Sequence, residues 1–321
     1  MIYRRSFLLG AGALASTSLL AEALPERSYD EPDEIYEALG SQSGTRVDIA
    51  GGNINVVFAD GAPGLDKQAV LRWVRDCAGA ISTYFGRYPT QAYGLLVVAN
   101  GGDGIGHATT YGYRGSATRI HVGTDADQRS FAKDWVLVHE MVHTALPDLP
   151  ERALWLQEGS ATWIEPVARA QAGNLPVAEV WREAVDGMPK GLRPVAAGGM
   201  DGTREWGRLY WGGATFWLEA EIAIYQQSRG HFLLRDAMRA INLASGGNTV
   251  EWSPEEMMAA GDRATGTTAL HSLYGKFSSH GMDATLPVLF ERLGVVPVQS
   301  QGVRFDPRAE LAGLTGLITR P

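Results

Sequence analysis

Cysteine is almost missing from this 321-residue chain. Cys77 stands alone, so no internal disulfide can form and the core must hold the fold. It falls on a predicted helix beside Trp73 and Ala80 and reads as a small core residue. Long apolar runs are lacking too. A membrane span needs about twenty strongly apolar residues, and no segment beyond the N-terminus supplies them, so no stable membrane anchor is expected. Runs of basic residues are absent, and the formal net charge is −8. That balance argues against nucleic acid as a partner. The glycines of Gly101-Gly102-Asp103-Gly104-Ile105-Gly106 are not followed by the Gly-Lys-Ser/Thr of a phosphate loop. The next element reads as a strand, so nucleotide binding is rejected. No internal repeat or low-complexity segment is present.

What the chain does have begins with an address. Arg4-Arg5-Ser6-Phe7-Leu8-Leu9 reads as a twin-arginine export signal, and Ala21-Glu22-Ala23 is a plausible cleavage site. The expectation is a signal peptide over residues 1–23 and an exported product, in the bacterial periplasm. Cleavage would remove two arginines and one glutamate, making the mature chain more acidic by one charge. Residues 24–46 read as a polar linker or arm. An α/β lobe is expected over 47–129, with strands at Val47–Ile49, Ile54–Phe58 and Tyr93–Ala99 and a helix over Leu65–Phe85. A mostly helical lobe is expected over 130–296, with helices at 130–146, 152–171, 177–187, 205–228, 231–243, 254–261, 267–279 and 284–293. A Gly- and Pro-containing loop spans 188–204, and the tail from 297 to 321 is expected to be irregular.

The chemistry starts at His139-Glu140-Met141-Val142-His143. This is H-E-x-x-H, a zinc-site signature when it lies on a helix. Residues four apart share a helix face, so the two imidazoles converge on one point. Phe131, Trp135, Val138, Val142 and Ala145 make an apolar stripe at helical spacing, which predicts that the flanking histidines are partly buried. A metal would satisfy both rings where burial alone would be costly. Glu140 can reach a water on the same metal and take its proton.

A catalytic zinc commonly has three protein ligands and one open position. Asp148 follows Pro147, which ends the helix, and reads as a turn or helix-start residue. Glu158 lies on a second predicted helix that can return across the first. Taken alone, it reads as a solvated helix carboxylate.

The segment Trp155-Leu156-Gln157-Glu158-Gly159-Ser160-Ala161-Thr162-Trp163-Ile164-Glu165 resembles the W-L-x-E-G-x-A-x-x-x-E stretch of gluzincin zinc metallopeptidases, in the aminopeptidase N and leukotriene A4 hydrolase branch. The resemblance implies that Glu158 is the third zinc ligand and that Glu165 orients a ligand histidine. Tyr210-Trp211-Gly212-Gly213-Ala214 resembles the Y-x-K-G-A segment of the same enzymes, which implies that Tyr210 donates to the oxyanion. Gly212 stands where that motif has lysine. The branch also carries a G-x-M-E-N segment whose glutamate captures a substrate's free amine; His107-Ala108-Thr109-Thr110-Tyr111-Gly112 occupies that region here. Thr109–Tyr113 and Arg119–Val122 are candidates for the edge strand that pairs with substrate. His107 and His121 read as loop and strand residues.

The resemblance implies an α+β, thermolysin-like plan: a mixed sheet lobe followed by a mostly helical lobe, with the cleft between them. The expected function is a zinc-dependent peptidase acting on a peptide or protein substrate. Zinc sits on His139, His143 and Glu158, Glu140 is the general base, and Tyr210 stabilises the oxyanion. The choice between endopeptidase and aminopeptidase stays open. The alternative is a non-catalytic exported binding protein on the same scaffold.

Overall fold

The structure, a computed structural model, describes residues 28–192, 199–280, 285–298 and 302–321. The export signal expected over residues 1–23, and residues 193–198 of the loop expected at 188–204, lie outside the described residues.

The first lobe is a five-stranded sheet. Strands β1 (Gly44–Ile49), β2 (Gly52–Phe58), β3 (Ala92–Asn100), β4 (Ile105–Tyr111) and β5 (Ser116–Gly123) take the order β1-β2-β3-β5-β4. β2, β3 and β5 run parallel, while β1 and β4 are antiparallel to their neighbours, so the sheet is mixed. Alternation in β3 shows why it is central. Leu95 and Val97 point to one face and join the main core; Leu96 and Val98 point to the other and join a smaller cluster. That smaller cluster is covered by α1 (Pro32–Ser41) through Ile35 and Ala38. Residues 32–41, within the stretch expected to be a polar arm, are therefore helical and docked on the sheet. The main face carries α2 (Lys67–Phe85), whose Val70, Val74, Ala78 and Ile81 are buried at helical spacing.

The second lobe is helical: α3 (Gln128–Lys133), α4 (Val136–Ala145), α5 (Leu154–Gln171), α6 (Val177–Gly187), α7 (Gly213–Gln227), α8 (Leu234–Ser245), α9 (Pro254–Thr265), α10 (Ala269–His280) and α11 (Leu286–Leu293). None of the described helices is long and apolar enough to cross a membrane. The α+β plan is as expected, with three differences in detail. The single helix expected at 130–146 is two, α3 and α4. Asp134 breaks it: its carboxylate accepts from the backbone N–H groups of Val136 at 3.0 Å and Leu137 at 3.2 Å, opening a new helix. The helix expected at 205–228 begins with a π-helical turn over Arg208–Gly212 before α7. The tail expected to be irregular contains a two-stranded ribbon, β6 (Val295–Val298) and β7 (Gly302–Phe305), and a last helix, α12 (Ala312–Ile318). Leu314 buries fully, and Thr315 Oγ1 donates to the Leu293 carbonyl at 2.6 Å.

Candidate metal centre and its surroundings

Helix α4 is pinned at both ends. At its start, Asp134 also accepts from Trp73 Nε1 of α2 at 3.2 Å, tying the helix to its neighbour. At its end, the backbone N–H of Asn248 donates to the Thr144 carbonyl at 3.2 Å, and Asn242 Nδ2 donates to the Ala145 carbonyl at 2.7 Å. These bonds satisfy carbonyls that a helix end would otherwise leave without partners. The histidines in between are therefore presented from a fixed element.

Helix α5 packs across α4 and brings Glu158 to the same point. Glu158 Oε2 lies 3.3 Å from His139 Nε2 and 3.7 Å from His143 Nε2. Among the described residues, His139, His143 and Glu158 are the one group of three or more such side chains that could hold a metal ion; their ligand atoms lie within 4.8 Å of one another. Asp148 is not in this group. It accepts from the Leu149 N–H at 3.0 Å and from Gln157 Nε2 at 2.8 Å, and so organises the turn between the two helices.

The donor set suits zinc. Two imidazole nitrogens and one carboxylate oxygen are a common catalytic set that leaves a fourth position open. Ligand bonds of about 2.0–2.2 Å in a tetrahedron put ligand atoms roughly 3.3–3.5 Å apart. The observed 3.3 and 3.7 Å bracket that range. The charges are prepared for it as well. Burial opposes ionisation of Glu158, but the two histidines outweigh it and hold the carboxyl well below its usual range. Burial pulls the His143 imidazole down, yet the Glu158 carboxylate, helped by Glu140 and Asp148, holds it above its ordinary value.

The close meeting of α5 with the next segment is made by glycine. A Cβ built on Gly159 falls on the backbone of Gly213, and one built on Gly213 falls on the Trp155 carbonyl. This contact sits one residue after Glu158 and three after Tyr210. Gly159→Ala is expected to force the helices apart, at about 1–3 kcal/mol of stability, the usual cost of overpacking. It should also weaken zinc binding, because Glu158 moves with α5. A thermal melt and the zinc content of the purified variant check this; an unchanged melt with full zinc occupancy would show that the contact is slack.

Tyr210 occupies the π-helical turn, a wide turn often found at functional sites. Its ring stacks on His139 at 5.8 Å between centroids and on Trp206 at 5.4 Å. Burial, then the charge of Glu158 and a hydrogen bond to it, push the phenol's pKa up, so it remains a neutral donor. Trp135, His139, Thr162, Trp206, Tyr210 and Trp211 line much of a cavity of about 250 Å³ beside the triad.

Glu140 is 9% exposed and faces the edge strand β4. Its Oε2 accepts from Thr110 Oγ1 at 2.6 Å. Glu165 departs from what the resemblance implied. It is buried, but its hydrogen bond is with Arg169 Nη1 at 2.7 Å, and among the described residues none runs to a histidine ring. The arginine stands one helical turn on along α5 and takes the carboxylate. Burial still pushes the Glu165 carboxyl up to about 8, against the pull of Arg169. His107 and His121 sit on β4 and β5, 6.4 Å apart between ring centroids, outside the triad. Sequence reasoning did not single out Thr110, Asp134, Arg169 or Asn242 for these roles. Asp134 carried a readable signal, an Asp two residues before the helix; the other three carried none.

No protein-family model matches the chain. No curated protein sequence matches it either. Among solved structures, an aminopeptidase N family protein from Idiomarina loihiensis is similar with a TM-score of 0.58 and 13% identity, over 81% of this chain and 51% of its own. The M1 zinc metallopeptidase from Deinococcus radiodurans aligns with a TM-score of 0.49 and 18% identity, over 77% of this chain and 53% of its own. The chain thus spans about half the length of these two structures. The likeness is one of fold: the mixed sheet and helical lobe described above have the architecture found in the aminopeptidase N family protein.

Proposed function

We propose that this chain is an exported, zinc-dependent peptidase. One observation carries the reading: His139 Nε2, His143 Nε2 and Glu158 Oε2 converge, with the Tyr210 ring stacked on His139 and the Glu140 carboxylate next along the same helix. His139, His143 and Glu158 would hold the zinc. When bound, zinc polarises a scissile carbonyl and makes water more acidic.

The chain's own residues supply the rest. Glu140 accepts a proton from the attacking water and later gives it to the leaving amine. Tyr210 donates its hydroxyl proton in a hydrogen bond to the oxyanion, a role suited to a phenol kept neutral. Among the described residues β4 is the last strand of its sheet, and its outer edge would pair with an extended peptide. The cavity, walled by Trp135, Trp206 and Trp211 on one hand and by Arg182, Glu183 and Asp186 on the other, would take one substrate side chain. β4 reads Ile-Gly-His-Ala-Thr-Thr-Tyr and carries no acid to neutralise a substrate ammonium. This strand offers no capture of a free substrate N-terminus, and the proposal is of cleavage at free and blocked N-termini alike.

The test is a peptide library offered to the zinc-loaded chain in matched forms, with free and with acetylated N-termini. Products should appear from both sets. Cleavage confined to free N-termini would overturn the end preference. No turnover of any peptide by a fully zinc-loaded chain would overturn the peptidase reading and favour a binding protein on this scaffold.

A further inference from the structure

We propose that Thr118 and Thr110 form a directed pair of hydroxyls that fixes the Glu140 carboxylate and assigns its Oε1 to proton exchange. The inference rests on the peptidase reading above and concerns a positioning device within it.

Three atoms make a chain. Thr118 Oγ1 and Thr110 Oγ1 are 2.7 Å apart, and Thr110 Oγ1 is 2.6 Å from Glu140 Oε2. The Thr110 hydroxyl donates to Glu140 Oε2, and each hydroxyl has one proton to give. Thr118 must therefore donate to Thr110. Thr118 is fully buried, so no bulk water competes for its proton. A 2.6 Å bond from a hydroxyl to a carboxylate is in the short, charge-assisted class. Among the described residues, Oε1 of Glu140 accepts no hydrogen bond. One oxygen is held and the other is left to the reacting water.

The backbone is shaped for this pairing. Thr110 and Thr118 are direct cross-strand partners on β4 and β5, so their side chains share a face. The register of β4 shifts between Gly106 and Thr109, and His107 takes φ 45° there. A bulge re-aims the side chains that follow it. Without the shift, the alternation would place a neighbour of Thr110 opposite Thr118. Both residues are β-branched, which limits rotation about χ1 and sets the hydroxyl direction.

The step balances as follows. As the water oxygen bonds to the carbonyl carbon, one water proton moves to Glu140 Oε1. As the carbon–nitrogen bond breaks, that proton moves to the leaving amine nitrogen. Glu140 ends with its original charge, and Oε2 stays bonded to Thr110 throughout.

The experiment uses the full chain loaded with zinc. Thr110→Val removes the hydroxyl at nearly constant shape. Zinc stoichiometry and KM should hold, while kcat falls on the order of tenfold to a hundredfold, the scale of a misplaced catalytic group. Thr110→Ser restores the hydroxyl and should recover most of kcat. A crystal structure of Thr110→Val should show the Glu140 carboxylate turned from its wild-type orientation. An unchanged kcat in Thr110→Val, or a Glu140 carboxylate that stays in its wild-type orientation there, overturns the proposal. If the zinc-loaded wild-type chain cleaves no peptide, the peptidase reading fails by itself, and the two crystal structures still decide whether Thr110 holds the carboxylate.

Discussion

Glu140→Gln should keep its zinc and lose nearly all hydrolysis, with kcat reduced by roughly 10²–10⁴-fold, the usual contribution of a positioned general base. The substitution is close to isosteric, which matters at a side chain only 9% exposed. Its amide oxygen can still accept the Thr110 hydroxyl, so the side chain should stay in place. What it loses is basicity: an amide facing the water cannot take a proton. None of the three candidate ligands is touched, so the metal content of the variant should equal that of the wild type. Steady-state kinetics beside metal analysis of the same preparation checks both halves. Full activity in Glu140→Gln would remove this carboxylate from the chemistry, whatever the metal site does.

The parts of the site that were legible in the sequence are those fixed by short-range geometry. His139 and His143 are one helical turn apart, so any helix there puts them together. Glu158 needed more: its own surroundings allowed a solvated carboxylate, and only the resemblance singled it out. Its placement beside the histidines comes from how α5 crosses α4, which no local pattern states. The π-helical turn at Tyr210 was not legible, because a widened turn has no period of its own and glycine-rich helices read as continuous. The helix break at Asp134 was hidden by the apolar stripe that runs through Phe131 and Trp135. Thr110 was invisible for a different reason. Its partners Thr118 and Glu140 come from another strand and a later helix, and the strand register that aligns them depends on a bulge. The bond between Glu165 and Arg169 was not legible, because the resemblance stops short of Arg169.

Glu158→Ala should strip the chain of stoichiometric zinc. It removes one of three candidate donors and the only one that carries charge. The two remaining imidazoles come from a single helix and leave half the coordination shell to water. The loss should exceed the roughly 10–100-fold that removal of a mere supporting partner costs. The same substitution has a separate signature without metal. In the metal-free wild type, His143 is held above its ordinary 6.5, so its stabilising share is full below that pH and fades as pH rises through the folded value. Glu158 is held below its ordinary 4.5, so its share is full above that pH and fades as pH falls through the folded value. Both shares are present together between about 4.5 and 6.5. With Glu158 gone, burial pulls the imidazole down against only Glu140 and Asp148, so the Glu158 share vanishes and the His143 share shrinks. The melting temperatures of the two metal-free proteins should therefore differ most within that window, and the gap should narrow as pH rises through the His143 value or falls through the Glu158 value. Zinc binding needs deprotonated ligands and favours the neutral side instead. A gap in melting temperature that is flat across pH would break the link between this carboxylate and the histidines. Full zinc occupancy in Glu158→Ala would break the triad itself.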